Sequence, residues 1–303
     1  MPINYYQVLQ GVLSQTRDVI CRTYGISKED AFIKSETFIK KNSEQWKLPN
    51  PDIKYEDPFC RIAYLYMNVA IHANLMEVGL DSFNELNKII RELITGGDEV
   101  RFCALGGGPG SELLGLVKFI QNKNYKRTAY LDFTLVDRVR EWDESWHSLK
   151  TGIDDQLKIE YGSDRSKWAA IISRSFLPLD VTKPEDFQDF ATRFNGVNIF
   201  VCCYLASEIK EAIDKFELTL DLLISRAPLG AYILFIDRNE KKVRDTIQHL
   251  VDVNPRLTMI SSFQERGRLE KDLQNLGEWY INIPSLPRQT WLTYFALAKK
   301  INT

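Results

Sequence analysis

The chain is 303 residues long, with 44% hydrophobic and 26% charged side chains, which suits one globular α/β core with an added segment and excludes a low-complexity protein. A formal net charge of −2, with lysines and arginines dispersed among acids, lacks the basic footprint of a nucleic-acid binder, so RNA is a disfavoured partner and DNA is not an expected one. No apolar run reaches the length of a membrane span and the first residues, Met-Pro-Ile-Asn-Tyr-Tyr-Gln, do not form a signal peptide; the expectation is an intracellular protein, cytoplasmic or nuclear, with no membrane partner.

The first 95 residues read as helical. Val8, Leu9, Val12, Leu13, Val19 and Ile20 give helical spacing between Tyr5 and Tyr24. Ser27-Lys-Glu-Asp30 resembles a capping signature before a second helix holding Ala31, Phe32 and Ile39. Leu48-Pro-Asn-Pro-Asp52 breaks the pattern. Asp57-Pro58 then opens a third helix through Glu77, nearly apolar but carrying Arg61, Tyr64, His72 and Asn74. Arg61 and Tyr64 share a face and His72 stays close to Tyr64. The seam reads either as contact with a ligand or as the internally satisfied polar groups of a core helix. Gly96-Gly97 marks the division from a second unit, residues 96–303.

Val100 to Leu105 reads as a buried strand, Gly106 to Gly110 as a sharp turn, and Ser111 onward as a helix start. Backbone can approach a ligand closely at Gly106, Gly108 and Gly110, and the helix aims its free N–H groups at that ligand. The turn lacks the Lys-Ser/Thr pair of a phosphate-cradling loop, and its glycines do not follow the dinucleotide order. Phe133-Thr-Leu-Val-Asp137 reads as a parallel strand with Asp137 at its C-terminal edge, placed to accept ribose hydroxyls or to cap a turn. Gln121 to Asp132 reads as a polar surface loop.

Further along, Trp142 and Trp146 stand one helical turn apart and are expected on one surface, as core packing ahead of a stacking wall. Asp180 and Val181 follow a third strand; Asp180 either faces the ligand or serves the helix start at Lys183, with Thr182 as its N-cap. Ile199 to Leu205 reads as a central strand that sends Cys202 and Cys203 to opposite faces. Tyr204, Ser207 and Glu208 come next, and Ser207 and Glu208 compete for a second role as the start of one helix running to Ile224. Gly230 to Asp237, Leu257 to Phe263 and Thr290 to Ala298 read as the last strands, the final one apolar enough to lie inside the sheet. The five cysteines read as reduced thiols, and the three histidines are too scattered for a metal motif.

Leu105-Gly-Gly-Gly-Pro-Gly-Ser-Glu-Leu113 resembles the first motif of class I S-adenosylmethionine-dependent methyltransferases. The resemblance implies an α/β fold with a seven-stranded Rossmann-like sheet, helices on both faces, a last antiparallel strand and an N-terminal helical cover. It implies S-adenosyl-L-methionine as cofactor, with Gly106, Gly108 and Gly110 at the turn, Asp137 on the ribose, and Asp180 and Val181 at the adenine. Arg61, Tyr64 and Cys203 join this cofactor set. The acid that the family often has two residues before the first glycine is Ala104 here, which leaves the methionine amino group to another acid such as Glu112. Glu208, His72 and Asp237 are the candidate proton acceptors and Tyr204 a positioning group; Glu208, His72 and Tyr204 form the expected catalytic set. Arg-x-Ala-Tyr-Leu-Tyr, the glycine turn and Leu-Val-Asp-x-x-x-x-Trp are also similar to eukaryotic methyltransferases, some of them fungal enzymes acting on uridine N3 of ribosomal RNA. The acceptor stays open among small molecule, protein and RNA, beside a methyltransferase-like protein that binds without turnover.

Overall fold

The computed structural model describes residues 2–45, 53–209, 211–269 and 272–302. The expected break at Leu48 to Asp52 lies outside the described residues.

Local signals set the N-terminal helices. The Asn4 side chain accepts the N–H groups of Tyr6 and Gln7 to start α1 (Tyr5–Tyr24), which Gly25 ends in the left-handed conformation. Ser27 and Asp30 bond each other ahead of α2 (Lys28–Gln45), the Ser27 hydroxyl also accepting the Asp30 N–H at 3.0 Å. Asp57 caps α3 (Pro58–Ser82), which continues beyond Glu77. A fourth helix, α4 (Asn84–Gly96), ends on left-handed Gly97, and β1 (Glu99–Leu105) begins two residues later.

Strands and helices then alternate: α5 (Ser111–Lys123), β2 (Ala129–Val136), α6 (Trp142–Tyr161), β3 (Ala170–Leu177), β4 (Ile199–Cys203), α7 (Leu205–Glu208), α8 (Ile213–Arg226), β5 (Tyr232–Arg238), α9 (Lys241–Asp252), β6 (Leu257–Arg268), α10 (Glu278–Asn282) and β7 (Thr290–Lys300). The seven strands form one sheet in the order β3-β2-β1-β4-β5-β7-β6. Strands β1 to β5 are parallel to one another, and β7 is inserted antiparallel between β5 and β6. This is a Rossmann-like sheet with its last strand antiparallel, as the resemblance implies. Two expected boundaries shift. The strand of Asp137 begins at Ala129, so the polar stretch before it is only partly loop: Ala129, Leu131 and Phe133 are buried while Tyr130 faces out. The single helix expected from Ser207 to Ile224 is two helices, α7 and α8.

Alternate residues of the strands feed two cores. Phe102, Phe133, Val201, Leu234 and Phe295 pack under the N-terminal helices, α5 and α6. Cys103, Phe200, Ile233, Phe235 and Ala296 pack against α8 and α9 on the other face. Cys203 joins the first core and Cys202 the second, the opposed placement expected from a period of two. Helix α3 is the central buttress. Its Leu65, Val69, Leu75, Met76 and Leu80 are fully buried, each contributing about 1.5–3 kcal/mol.

Candidate active site

A cleft opens at the C-terminal ends of β1, β2, β4 and β5, where the strand order reverses between β1 and β4. In open parallel sheets this is the place where ligands bind. Gly106 and Gly107 both donate their N–H groups to the Val136 carbonyl, at 2.8 and 3.3 Å, which ties the glycine turn to the tip of β2. Gly108 lines the cleft with φ 49° and open space beyond its Cα, the nearest atom to an added Cβ being on Trp142 at 3.8 Å. Gly110 is different: an added Cβ would lie 2.3 Å from the buried Trp146 ring. It does not line the cleft, and its role is to seat Trp146.

Asp137 crosses the mouth of this turn. Its Oδ2 accepts the Gly108 N–H and its Oδ1 the Val139 N–H, both at 2.9 Å. Burial raises its pKa, and these two N–H groups pull it back down. Asp180 and Val181 line the cleft beside it. Asp180 Oδ1 accepts both the N–H and the hydroxyl of Thr182, at 2.9 and 2.7 Å, so it closes its own turn while facing the cleft. Thr182 is not the helix cap; the N-cap of the following 3₁₀ helix, Pro184–Phe194, is Lys183.

Helix α3 supplies the facing wall through Tyr64, Asn68 and His72, successive positions on one face. The Tyr64 hydroxyl meets His72 Nδ1 at 3.3 Å, and the His72 ring stacks on Tyr204 with centroids 4.8 Å apart. Burial pushes His72 down to about 3, with the Arg288 charge adding to the effect, so the imidazole is neutral at physiological pH. Arg61 lies on the same helix but does not line the cleft. Its Nη1 donates to the carbonyls of Tyr55 and Glu56 at 3.0 Å each, and its Nη2 meets Glu144 at 3.2 Å. It holds Tyr55, whose ring packs on Tyr64 and Trp142 at the cleft. The two tryptophans therefore part: Trp142 lines the cleft and Trp146 fills the core against Phe133.

Tyr204 sits at the tip of β4 with φ 57° and ψ 14°, a left-handed conformation unusual for a ring-bearing residue. Its N–H donates to the Ile236 carbonyl at 2.7 Å, which fixes the turn. Asp237 lies under that turn rather than in the cleft, its Oδ2 accepting the Ser207 N–H at 3.0 Å and its Oδ1 the Arg238 N–H at 2.7 Å. Burial pushes Asp237 up to about 6. Ser207 bonds back to the Tyr204 carbonyl and so belongs to the helix start. Glu208 lines the cleft; water reaches its carboxyl through the mouth, yet protein surrounds it at longer range. That desolvation, followed by the charges of Asp237 and Asp137, pushes it up to about 7. Cys203 reaches the cleft as a thiol whose pKa burial pushes far up.

Glu112 stands apart from the cleft surface. It is 3% exposed, its Oε2 has no hydrogen-bond partner among the described residues, and burial pushes it up to about 7. Ala104 is buried beneath the turn, where a Cβ on Gly107 would lie 3.0 Å from the alanine methyl, so the space beneath this turn is already filled. Asn68 is 4% exposed, lines the cleft, and its Nδ2 has no acceptor among the described residues. Sequence reasoning missed Asn68 although it lies midway between Tyr64 and His72 on their shared face. It also missed Tyr55, Arg138, Arg238 and Arg288, which line the cleft from segments outside any helical period.

No protein-family model and no curated protein matches the chain. Among solved structures, the chain is similar to mitomycin 7-O-methyltransferase at 12% identity and a TM-score of 0.45, covering 86% of this chain and 66% of that one. It is also similar to magnesium protoporphyrin IX methyltransferase from Synechocystis PCC 6803 with bound SAM, at 10% identity and a TM-score of 0.38, with 89% and 97% of the two chains covered. A third is the N-methyltransferase NodS from Bradyrhizobium japonicum WM9 in complex with S-adenosyl-L-homocysteine, at 10% identity and a TM-score of 0.37, with 76% and 100% covered. The chain spans just under two thirds of the mitomycin enzyme's length. Among the described residues, no helix is long and apolar enough to cross a membrane.

Proposed function

We propose that the chain is an S-adenosylmethionine-dependent methyltransferase. The observation that carries this reading is the Asp137 carboxylate bonded to Gly108 across the strand switch point, with Asp180 and Val181 on the adjoining tip. The residues present fit the cofactor. Asp137 offers carboxylate oxygens to ribose hydroxyls, and Val181 with Leu179 offers an apolar seat for adenine next to Asp180. A buried polar atom of the cleft awaits a partner: Asn68 Nδ2 suits the carboxylate of the methionyl end, while Glu112, expected at its amino group, does not line the cleft. When bound, the cofactor supplies an electrophilic methyl group at its sulfonium.

The chain then has three tasks. Tyr204 and the neutral His72 stacked on it form a fixed wall for the acceptor. Tyr55, held by Arg61, packs with Trp142 to wall one side of the cleft. Glu208, poised near neutrality, takes the proton of an acceptor that carries one.

Calorimetry with S-adenosylmethionine and S-adenosylhomocysteine tests the reading. Both bind, and Asp137→Ala weakens binding by about tenfold or more, as expected for loss of a charge-assisted hydrogen-bonding group. No binding overturns the proposal. Transfer of labelled methyl to fractionated small-molecule, protein and RNA pools then assigns the acceptor. Label in uridine supports the ribosomal RNA alternative, and cofactor binding with no label in any pool supports a non-catalytic binding protein.

A further inference from the structure

The cations of the cleft are not equivalent. Arg138 follows Asp137, and its charge acts on Asp137 and Glu208. Arg238 follows Asp237 and acts on Asp237 and Glu208. Each thus has carboxylates for neighbours. Arg288 faces two uncharged groups instead, the His72 imidazole and the Tyr204 phenol. Like those of Arg138 and Arg238, its guanidinium makes no ion pair and no side-chain hydrogen bond among the described residues, and it is exposed; what sets it apart is its place beside His72 and Tyr204. It is nevertheless held in place. The Arg288 N–H donates to the Met67 carbonyl of α3 at 3.1 Å, and Pro284 and Pro287 stiffen the segment that delivers it. A second donor in the same cleft, the buried Asn68 Nδ2, also lacks an acceptor.

The polarity of the cleft is therefore divided. Asp137 and Asp180 make the β2–β3 side rich in acceptors, which suits the hydroxyls and amino group of an adenosyl moiety. The α3–Arg288 side offers two donors without a protein acceptor among the described residues, the buried Asn68 Nδ2 and the exposed Arg288 guanidinium. The cofactor has one carboxylate, and Asn68, between Tyr64 and His72 on the helix, is assigned to it above. Arg288 is left as an exposed full charge beside the wall reserved for the acceptor. Arg288 is exposed at the cleft and solvated in the free protein, and an anionic ligand seated there would exchange that water for a charge-assisted hydrogen bond.

We infer that the methyl acceptor is a small molecule carrying a carboxylate or phosphate group, and that Arg288 is the counter-ion for that group. The inference rests on the methyltransferase reading and narrows its acceptor. The near-neutral charge of the chain points the same way, because a nucleic-acid acceptor would call for a broad basic surface.

The test uses the full chain saturated with S-adenosylhomocysteine and titrated with benzoate and with phenyl phosphate, followed by calorimetry. One of the two anions binds, and the one that binds better identifies the group. Arg288→Ala and Arg288→Gln each weaken that binding about tenfold, while affinity for S-adenosylhomocysteine stays within about twofold of the parent value. Two substitutions are used so that a folding defect in one does not decide the result; the backbone N–H that anchors the loop is kept in both. The inference fails if neither anion binds the saturated protein, or if binding ignores both substitutions. It also fails if the substitutions weaken S-adenosylhomocysteine itself, because Arg288 would then serve the cofactor. Arg288-dependent binding of a uridine oligonucleotide tighter than either anion would replace the small molecule by RNA. Failure of S-adenosylhomocysteine to bind the parent chain is read first and separately, since it overturns the methyltransferase reading instead.

Discussion

Gly108 and Gly110 are two residues apart, both left-handed, at φ 49° and 82°, yet a methyl group added at each would act differently. Either alanine pays about 1–2 kcal/mol for the left-handed backbone. At Gly108 the new methyl meets only the Trp142 ring, at an ordinary contact distance of 3.8 Å, and narrows the cleft. At Gly110 it enters the Trp146 ring at 2.3 Å, in a core where Trp146 is fully buried, and overpacking adds about 1–3 kcal/mol. Gly108→Ala is expected to lose S-adenosylhomocysteine affinity with a modest loss of stability, and Gly110→Ala to be clearly less stable in urea unfolding. Equal urea midpoints for the two would show that Trp146 does not sit where it is described. Glu112 gives a second residue-scale prediction, in pH. Its native pKa of about 7 lies above the ordinary 4.5, so the folded state holds its proton more tightly than the unfolded chain. The stability this group contributes is present in acid and is lost as pH rises from about 4.5 to about 7. Glu112→Gln should flatten that part of the stability–pH curve; an unchanged slope would mean that the buried carboxyl is not Glu112.

At the scale of elements, α3 and α5 approach so closely that Gly115 has no room for a side chain: an added Cβ would lie 2.1 Å from the Ala73 carbonyl oxygen. Gly115 has an ordinary helical conformation, so Gly115→Ala ought to stabilise α5 by intrinsic propensity, by roughly 1 kcal/mol. Contact with rigid backbone outweighs that, and the substitution is expected to destabilise the protein by about 3 kcal/mol or more in denaturant unfolding. A neutral or stabilising result would mean that the two helices can separate without loss. The elements themselves were largely legible because each carries its own signal. The glycine turn and the apolar runs ending in Asp137 and Asp237 mark strand tips, and Asp57-Pro58 marks a helix start. What escaped the sequence depends on distant partners. The start of α7 is fixed by Asp237 accepting the Ser207 N–H across thirty positions, and no local period records that bond. The parting of Trp142 from Trp146 follows from which one meets Gly110. Arg288 and Tyr55 reach the cleft from irregular segments, where spacing carries no information about direction. Arg61 was legible as a polar group on a buried helix, but not that its partners are the carbonyls of Tyr55 and Glu56.

At the scale of the molecule, the helical segment before Gly97 does not stand beside the sheet as a separate layer with its own core. Val12, Leu13, Leu65 and Met76 belong to the same buried cluster as Phe133, Leu234 and Phe295. The chain between β6 and β7 then returns to close over these helices. Trp279 packs edge-on against Phe32 at 4.9 Å, and Arg17, 1% exposed, pairs with Glu278 while its guanidinium lies over both rings. The Tyr66 hydroxyl donates to the Ser285 carbonyl at 2.9 Å, and Ser285 in turn donates to Glu36. The first and last parts of the sequence are therefore joined through side chains that neither part can bury alone. The segment that carries Arg288 is the same one that clasps the helices, so the cleft wall and the global fold share their supports. One cooperative unfolding transition is expected, with coincident urea curves from tryptophan fluorescence, which reports Trp146 packed on Phe133 of the sheet and Trp279 packed on Phe32 of the helical segment, and from far-ultraviolet circular dichroism. Removing residues 1–83 should give a chain that does not fold, because Leu234 and Phe295 would lose their cover at Gly79. Two separated transitions, or a folded fragment, would establish the helical segment as an independent domain and would detach the cleft wall at α3 from the stability of the sheet.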